Sequence, residues 1–125
     1  TNEFAKWIGA REDLNQVKVF VLDDRFRTVN TRLAAIREWY DSPDPSVLII
    51  GTEMFAAMVY TKKEKEHVQY KRMLQEPGPD LLVVDEAHRL HDRTSKLRVA
   101  MEDIRTMRRI CLTGISFTEN LFECQ

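Results

Sequence analysis

The sequence predicts an α/β domain built on a parallel sheet, and three observations carry that prediction. Short, continuously apolar runs occur at Val47–Ile50 and Leu81–Val84, without the polar alternation of a strand that faces water on one side. Segments with helical apolar spacing lie between such runs. Strands alternating with helices call for crossover connections, and crossovers make neighbouring strands parallel.

The elements follow in order. Lys18-Val19-Phe20-Val21-Leu22 is β-branched and aromatic and stops at Asp23-Asp24, as a buried strand does. Val29, Leu33, Ile36 and Tyr40 then recur at helical spacing behind Thr28, a residue suited to cap the helix, and Asp41-Ser42-Pro43-Asp44-Pro45 ends it. Val47–Ile50 is the second strand, and Gly51-Thr52 turns the chain into a helix over Glu53 to Val59. Thr61 to Gln75 is charged and helical, with Val68, Met73 and Leu74 as its apolar anchors; Glu76-Pro77-Gly78-Pro79 breaks it. Its lysines and Arg72 are interleaved with Glu64 and Glu66, which describes a solvated helix face better than a nucleic-acid patch. Leu81–Val84 is the third strand. Thr94 or Ser95 caps a helix with the stripe Leu97, Ala100, Met101 and Ile104, and Arg109–Leu112 is the fourth strand.

A chain of 125 residues suffices for one domain or part of one. Nineteen Lys and Arg against 20 Asp and Glu provide no overall field toward nucleic acid, so any such contact must be local. Cys111 and Cys124 lack metal-ligand spacing, and Cys111, inside an apolar run, reads as a buried free thiol in a reduced intracellular compartment. No apolar stretch is long enough to span a membrane, and the first ten residues lack a secretory pattern. The absence of an initiator Met suggests that a segment upstream has been cut away.

In a parallel sheet, ligands collect at the carboxyl ends of the strands, where Asp85-Glu86-Ala87-His88 falls. An Asp there suits a magnesium ion, and an adjacent Glu suits a water aimed at a γ-phosphate, because phosphoryl transfer depends on positioned charge. Taken alone, the tetrapeptide reads equally well as the start of a loop with a surface histidine. The run ending in Leu112-Thr113-Gly114, one strand–helix unit later, favours the chemical reading. A zinc site from Asp85, Glu86, His88 and His91 is disfavoured, since the spacing is not that of the helical H-E-x-x-H motif. Trp7, Trp39 and Phe55 fall within apolar patterns and read as packing residues.

Leu82-Val83-Val84-Asp85-Glu86-Ala87-His88-Arg89-Leu90, followed by Arg108-Arg109-Ile110-Cys111-Leu112-Thr113-Gly114 and Asn120-Leu121-Phe122-Glu123, resembles SWI/SNF-type ATPases of helicase superfamily two. Asn2–Trp7, Ile49–Phe55 and Pro77–Asp80 look most like the branch of the alpha-thalassaemia X-linked and androgen-receptor-interacting remodellers. The resemblance implies an incomplete RecA-like lobe of the P-loop NTPase class over residues 1–125. It implies a nuclear, ATP- and Mg²⁺-dependent translocase on double-stranded DNA with chromatin proteins as partners. Asp85 would bind the magnesium ion, Glu86 would be catalytic, and His88 and Thr113 would couple nucleotide to DNA.

No G-x-x-x-x-G-K-[ST] phosphate loop occurs in the chain, so it is expected to be inactive alone, the loop lying upstream and the second lobe downstream. The sequence also departs from the family pattern. His91-Asp92 replaces Lys-Asn, and Ile115-Ser116-Phe117-Thr118-Glu119 replaces Thr-Pro-Leu-Gln-Asn. The second change supplies a rival expectation, a degenerate lobe kept as a non-catalytic interaction scaffold.

Overall fold

The computed structural model describes residues 17–90 and 92–112. The runs read as strands form β1 (Lys18–Leu22), β2 (Ser46–Ile50), β3 (Leu82–Val84) and β4 (Arg109–Cys111). The helices are α1 (Val29–Tyr40), α2 (Thr52–Val59), α3 (Glu64–Leu74) and α4 (Lys96–Glu102), and a 3₁₀ turn covers Ala87–Leu90. The chain separates into two compact units, with the division after Phe55, inside α2. No described helix is long and apolar enough to cross a membrane.

The first unit holds the parallel pair β1–β2, in register from Lys18 opposite Ser46 to Leu22 opposite Ile50. The crossover helix α1 packs on both strands. Its entry is fixed by Thr28, extended at φ −106°, whose Oγ1 accepts the Thr31 N–H at 3.2 Å. At its exit the Asp41 N–H donates to Arg37 O at 2.9 Å, before Pro43 rules out continuation. Ile36, completely buried, anchors the helix, and Leu22 and Phe55 are buried in the same unit. Trp39 is half-buried, its ring 6.3 Å from that of Tyr40. After β1 the chain turns through Asp23, whose carboxylate binds the Arg25 guanidinium and lies below its ordinary range because of that hydrogen bond.

The second unit holds the parallel pair β3–β4, in register from Leu82 opposite Arg109 to Val84 opposite Cys111. The four strands are thus parallel within two pairs, as the apolar runs require. Two-sided burial, however, is not found for the second pair. Alternation and register put Leu81 and Val83 on the same face as Ile110 and Leu112, and all four are about half exposed. The opposite face carries buried Val84.

In α3 the buried anchors are Tyr70, Met73 and Leu74, whereas Val68 is 60% exposed. Two residues on a helix subtend about 200°, so Val68 and Tyr70 cannot face the same side. The aromatic ring and the two flexible side chains next to it take the interior. The turn after α3 is fixed by buried Gln75, whose Nε2 donates to Ala100 O at 3.0 Å and whose O accepts the Arg105 N–H at 2.8 Å. Gly78 follows at φ +61°; a Cβ there would stand 2.9 Å from the Gln75 backbone carbonyl.

Candidate active site at the end of β3

β3 ends at Val84, and Asp85 and Glu86 emerge together at its carboxyl end, both exposed. Asp85 Oδ1 accepts the Glu86 N–H at 2.9 Å, closing a tight turn. Glu86 takes φ 52°, and it is alone in positive φ among the described non-glycine residues. The left-handed region brings Cβ against the backbone and costs on the order of 1 kcal/mol, so it persists only where its surroundings impose it.

Those surroundings are visible. The ladder between β3 and β4 continues past the strands, with the Leu112 N–H donating to Val84 O at 2.8 Å and the Ala87 N–H donating to Leu112 O at 2.9 Å. The residue before Thr113 is therefore bonded on both sides of the Asp85–Glu86 turn. Thr113 itself lies outside the described residues, as do His91, the segment Ile115–Glu119 and the motif Asn2–Trp7. His88 follows in the 3₁₀ turn, half-buried and with an interaction partner.

From the 3₁₀ turn the chain passes into α4 through two local devices. Asp92 Oδ1 accepts both the Thr94 N–H (2.9 Å) and its hydroxyl (2.7 Å), an Asx turn that Asn would also support. Of the two caps considered, Ser95 is the one used, its Oγ accepting the Arg98 N–H at 3.1 Å. At the other end of α4, Arg109 reaches back from β4. Its Nε donates to Thr106 O at 2.9 Å, Nη1 to Met101 O at 3.1 Å, and Nη2 to Glu102 O at 3.3 Å and to Ile104 O. One guanidinium thus reaches four carbonyls in and just after the last turn of the helix, of which Met101 O also accepts the Ile104 N–H at 3.2 Å.

In the sequence Arg109 reads only as a strand residue, and Arg98 falls in none of the motifs. The signal for Arg98 was its spacing of four from Glu102; for Arg109 no local signal exists, because its partners precede it through a turn. The reading of Cys111 as a free thiol is corrected: it is half-buried in β4 and disulfide-bonded, an arrangement that apolar flanking residues do not disclose.

Among the described residues no three His, Cys, Asp or Glu side chains gather as a metal cage requires. Magnesium keeps several waters and takes one or two carboxylates together with phosphate oxygens. Asp85, exposed at the strand end, presents one carboxylate there, its Oδ1 accepting the Glu86 N–H at 2.9 Å.

Comparisons with known proteins agree with this architecture. A family described as the SNF2-related domain matches residues 1–124. The chain is similar to the "Transcriptional regulator ATRX homolog" of Caenorhabditis elegans (37% identical, 97% of this chain and 10% of the relative). It is similar to the human "Transcriptional regulator ATRX" (35%, 98% and 5%) and to the mouse "Helicase ARIP4" (27%, 97% and 11%). The chain thus spans about a tenth or less of the length of these relatives. No solved structure gave a significant match. With parallel strands in an α/β arrangement, an Asp-Glu turn at a strand's carboxyl end and a match along nearly its whole length, the chain belongs to the SNF2-related domain family.

Proposed function

We propose that the chain is part of the ATP-binding lobe of an ATP-dependent translocase on double-stranded DNA, a nuclear remodeller of chromatin. The observation that carries the reading is the Asp85–Glu86 turn, held in a left-handed conformation at the end of β3 and bonded on either side to the residue preceding Thr113.

In this reading Asp85 contributes one carboxylate to a magnesium ion and its waters. When bound, Mg²⁺ would neutralise charge on the phosphate oxygens of ATP and so favour attack of water at the γ-phosphorus. Glu86 accepts a hydrogen bond from the attacking water and orients its lone pair. His88, two residues on, and Thr113, next to Leu112, would pass the state of that turn to the DNA-binding side. Two relatives carry the printed names transcriptional regulator and helicase, which supports the same class.

The test is steady-state ATP hydrolysis by the complete polypeptide that carries this chain, with and without duplex DNA. Glu86→Gln keeps the side chain's size and removes the base, so nucleotide binding should persist while turnover falls by at least about a hundredfold. The 125-residue chain alone should show no turnover, since it contains no phosphate loop. Absence of ATPase in the complete polypeptide would favour the scaffold reading that the altered segment Ile115–Glu119 suggests.

A further inference from the structure

Arg98 is only 6% exposed, although charged residues are seldom buried without a specific partner. Its charge is met by Glu102 one turn along α4, with Nε 2.8 Å from Oε1. Besides that pair, Nη1 of the guanidinium donates to Leu90 O at 3.0 Å. Leu90 is the last residue of the 3₁₀ turn that begins immediately after Glu86, and it is itself buried. A carbonyl at the end of such a turn has no partner within the turn and, when buried, little access to water. Arg98 supplies the missing donor.

The turn is consequently pinned at both ends. At its front the Ala87 N–H is bonded to Leu112 O, and at its back Leu90 O is bonded to Arg98. Glu86 precedes the pinned span and holds a backbone conformation that does not persist unaided. Without the rear pin the turn would be held by its front bond alone, beside the residue in the left-handed region.

We propose that Arg98 is a positioning residue: by holding the Leu90 carbonyl it fixes the turn from which the Glu86 carboxylate is presented. Its part is to act through the turn and not on the nucleotide directly. The proposal rests on the reading that Asp85 and Glu86 serve ATP hydrolysis.

The experiment compares wild type, Arg98→Met, Arg98→Lys and Glu86→Gln in the complete polypeptide. DNA-stimulated turnover and backbone hydrogen exchange are measured for each. Met fills the space without a donor, whereas Lys restores one donor without the fork. Arg98→Met should lower kcat by between about tenfold and a hundredfold, the range that small misplacements cost, at unchanged KM for ATP. Exchange at Ala87–Leu90 should quicken while α3 keeps its protection, and Arg98→Lys should recover part of kcat. Wild-type kcat in Arg98→Met, or unchanged exchange at Ala87–Leu90, overturns the proposal. So does faster exchange throughout α3, which would make Arg98 a stability residue only. Failure of the underlying reading has a separate signature: Glu86→Gln would turn over like wild type, or wild type would not turn over, irrespective of the Arg98 variants.

Discussion

Arg109 offers the most direct measurement of what holds β3 and β4 together around the site. Arg109→Met keeps much of the aliphatic stem and removes all four donated bonds, to Thr106, Met101, Glu102 and Ile104. A hydrogen bond from a charged donor contributes about 1.5–3 kcal/mol when its acceptor is fully desolvated. Three of these four are only part-buried, so water recovers some of the loss, and about 1 kcal/mol each is the appropriate share; the exposed bond to Glu102 O adds little. The sum is about 3 kcal/mol, which at 1.4 kcal/mol per decade is roughly a hundredfold in the local opening equilibrium. Hydrogen exchange reads this at the amides of Leu82 and Leu112, which bond to Arg108 O at 3.0 Å and Val84 O at 2.8 Å. Both should exchange about a hundredfold faster. Arg109→Lys should recover about a third of the difference, because an ammonium cannot span the several carbonyls a fork reaches. Acceleration below about threefold in Arg109→Met would refute the reasoning, since it would mean that those carbonyls are satisfied as well by water.

Gly78→Ala places a Cβ 2.9 Å from backbone atoms of Gln75 at φ +61°, and should destabilise the second unit by about 2 kcal/mol in urea denaturation. Asp23 should titrate below the ordinary 3.8 in an NMR pH series, and Arg25→Gln should raise its midpoint again. Its folded value is the lower one, so any stability it contributes is present above 3.8 and disappears as pH falls through the folded value. Ser95→Ala should cost about 1 kcal/mol of α4 stability, read by exchange at the Arg98 amide that the Ser95 hydroxyl now accepts from.

What was legible in the sequence was what local chemistry encodes. Lys18–Leu22 is a strand with the expected bounds, and Thr28 and Ser95 are caps because a hydroxyl one step before an apolar stripe has an evident use. The place of Asp85 and Glu86 followed from the apolar run before them. Less legible was anything decided by distant partners. Val68 reads as an anchor where Tyr70 is the buried residue, because a charged helix gives a weak apolar phase and the buried side is settled by what packs on it. The functions of Arg98 and Arg109 depend on carbonyls brought near by the path of the backbone. The left-handed backbone at Glu86 had no signal either, as Glu, unlike Gly or Asn, has no preference for it.

That last feature reaches beyond this site. A library of variants at position 86 selected only for heat resistance would drift toward Gly or Asn, which occupy φ 52° more readily than Glu. Automated redesign for robustness would make the same exchange and delete the carboxylate while improving its score. Position 86 is thus a place where thermal fitness and the resident amino acid disagree. A saturation scan read for that disagreement would single out Glu86 without any assay of nucleotide chemistry.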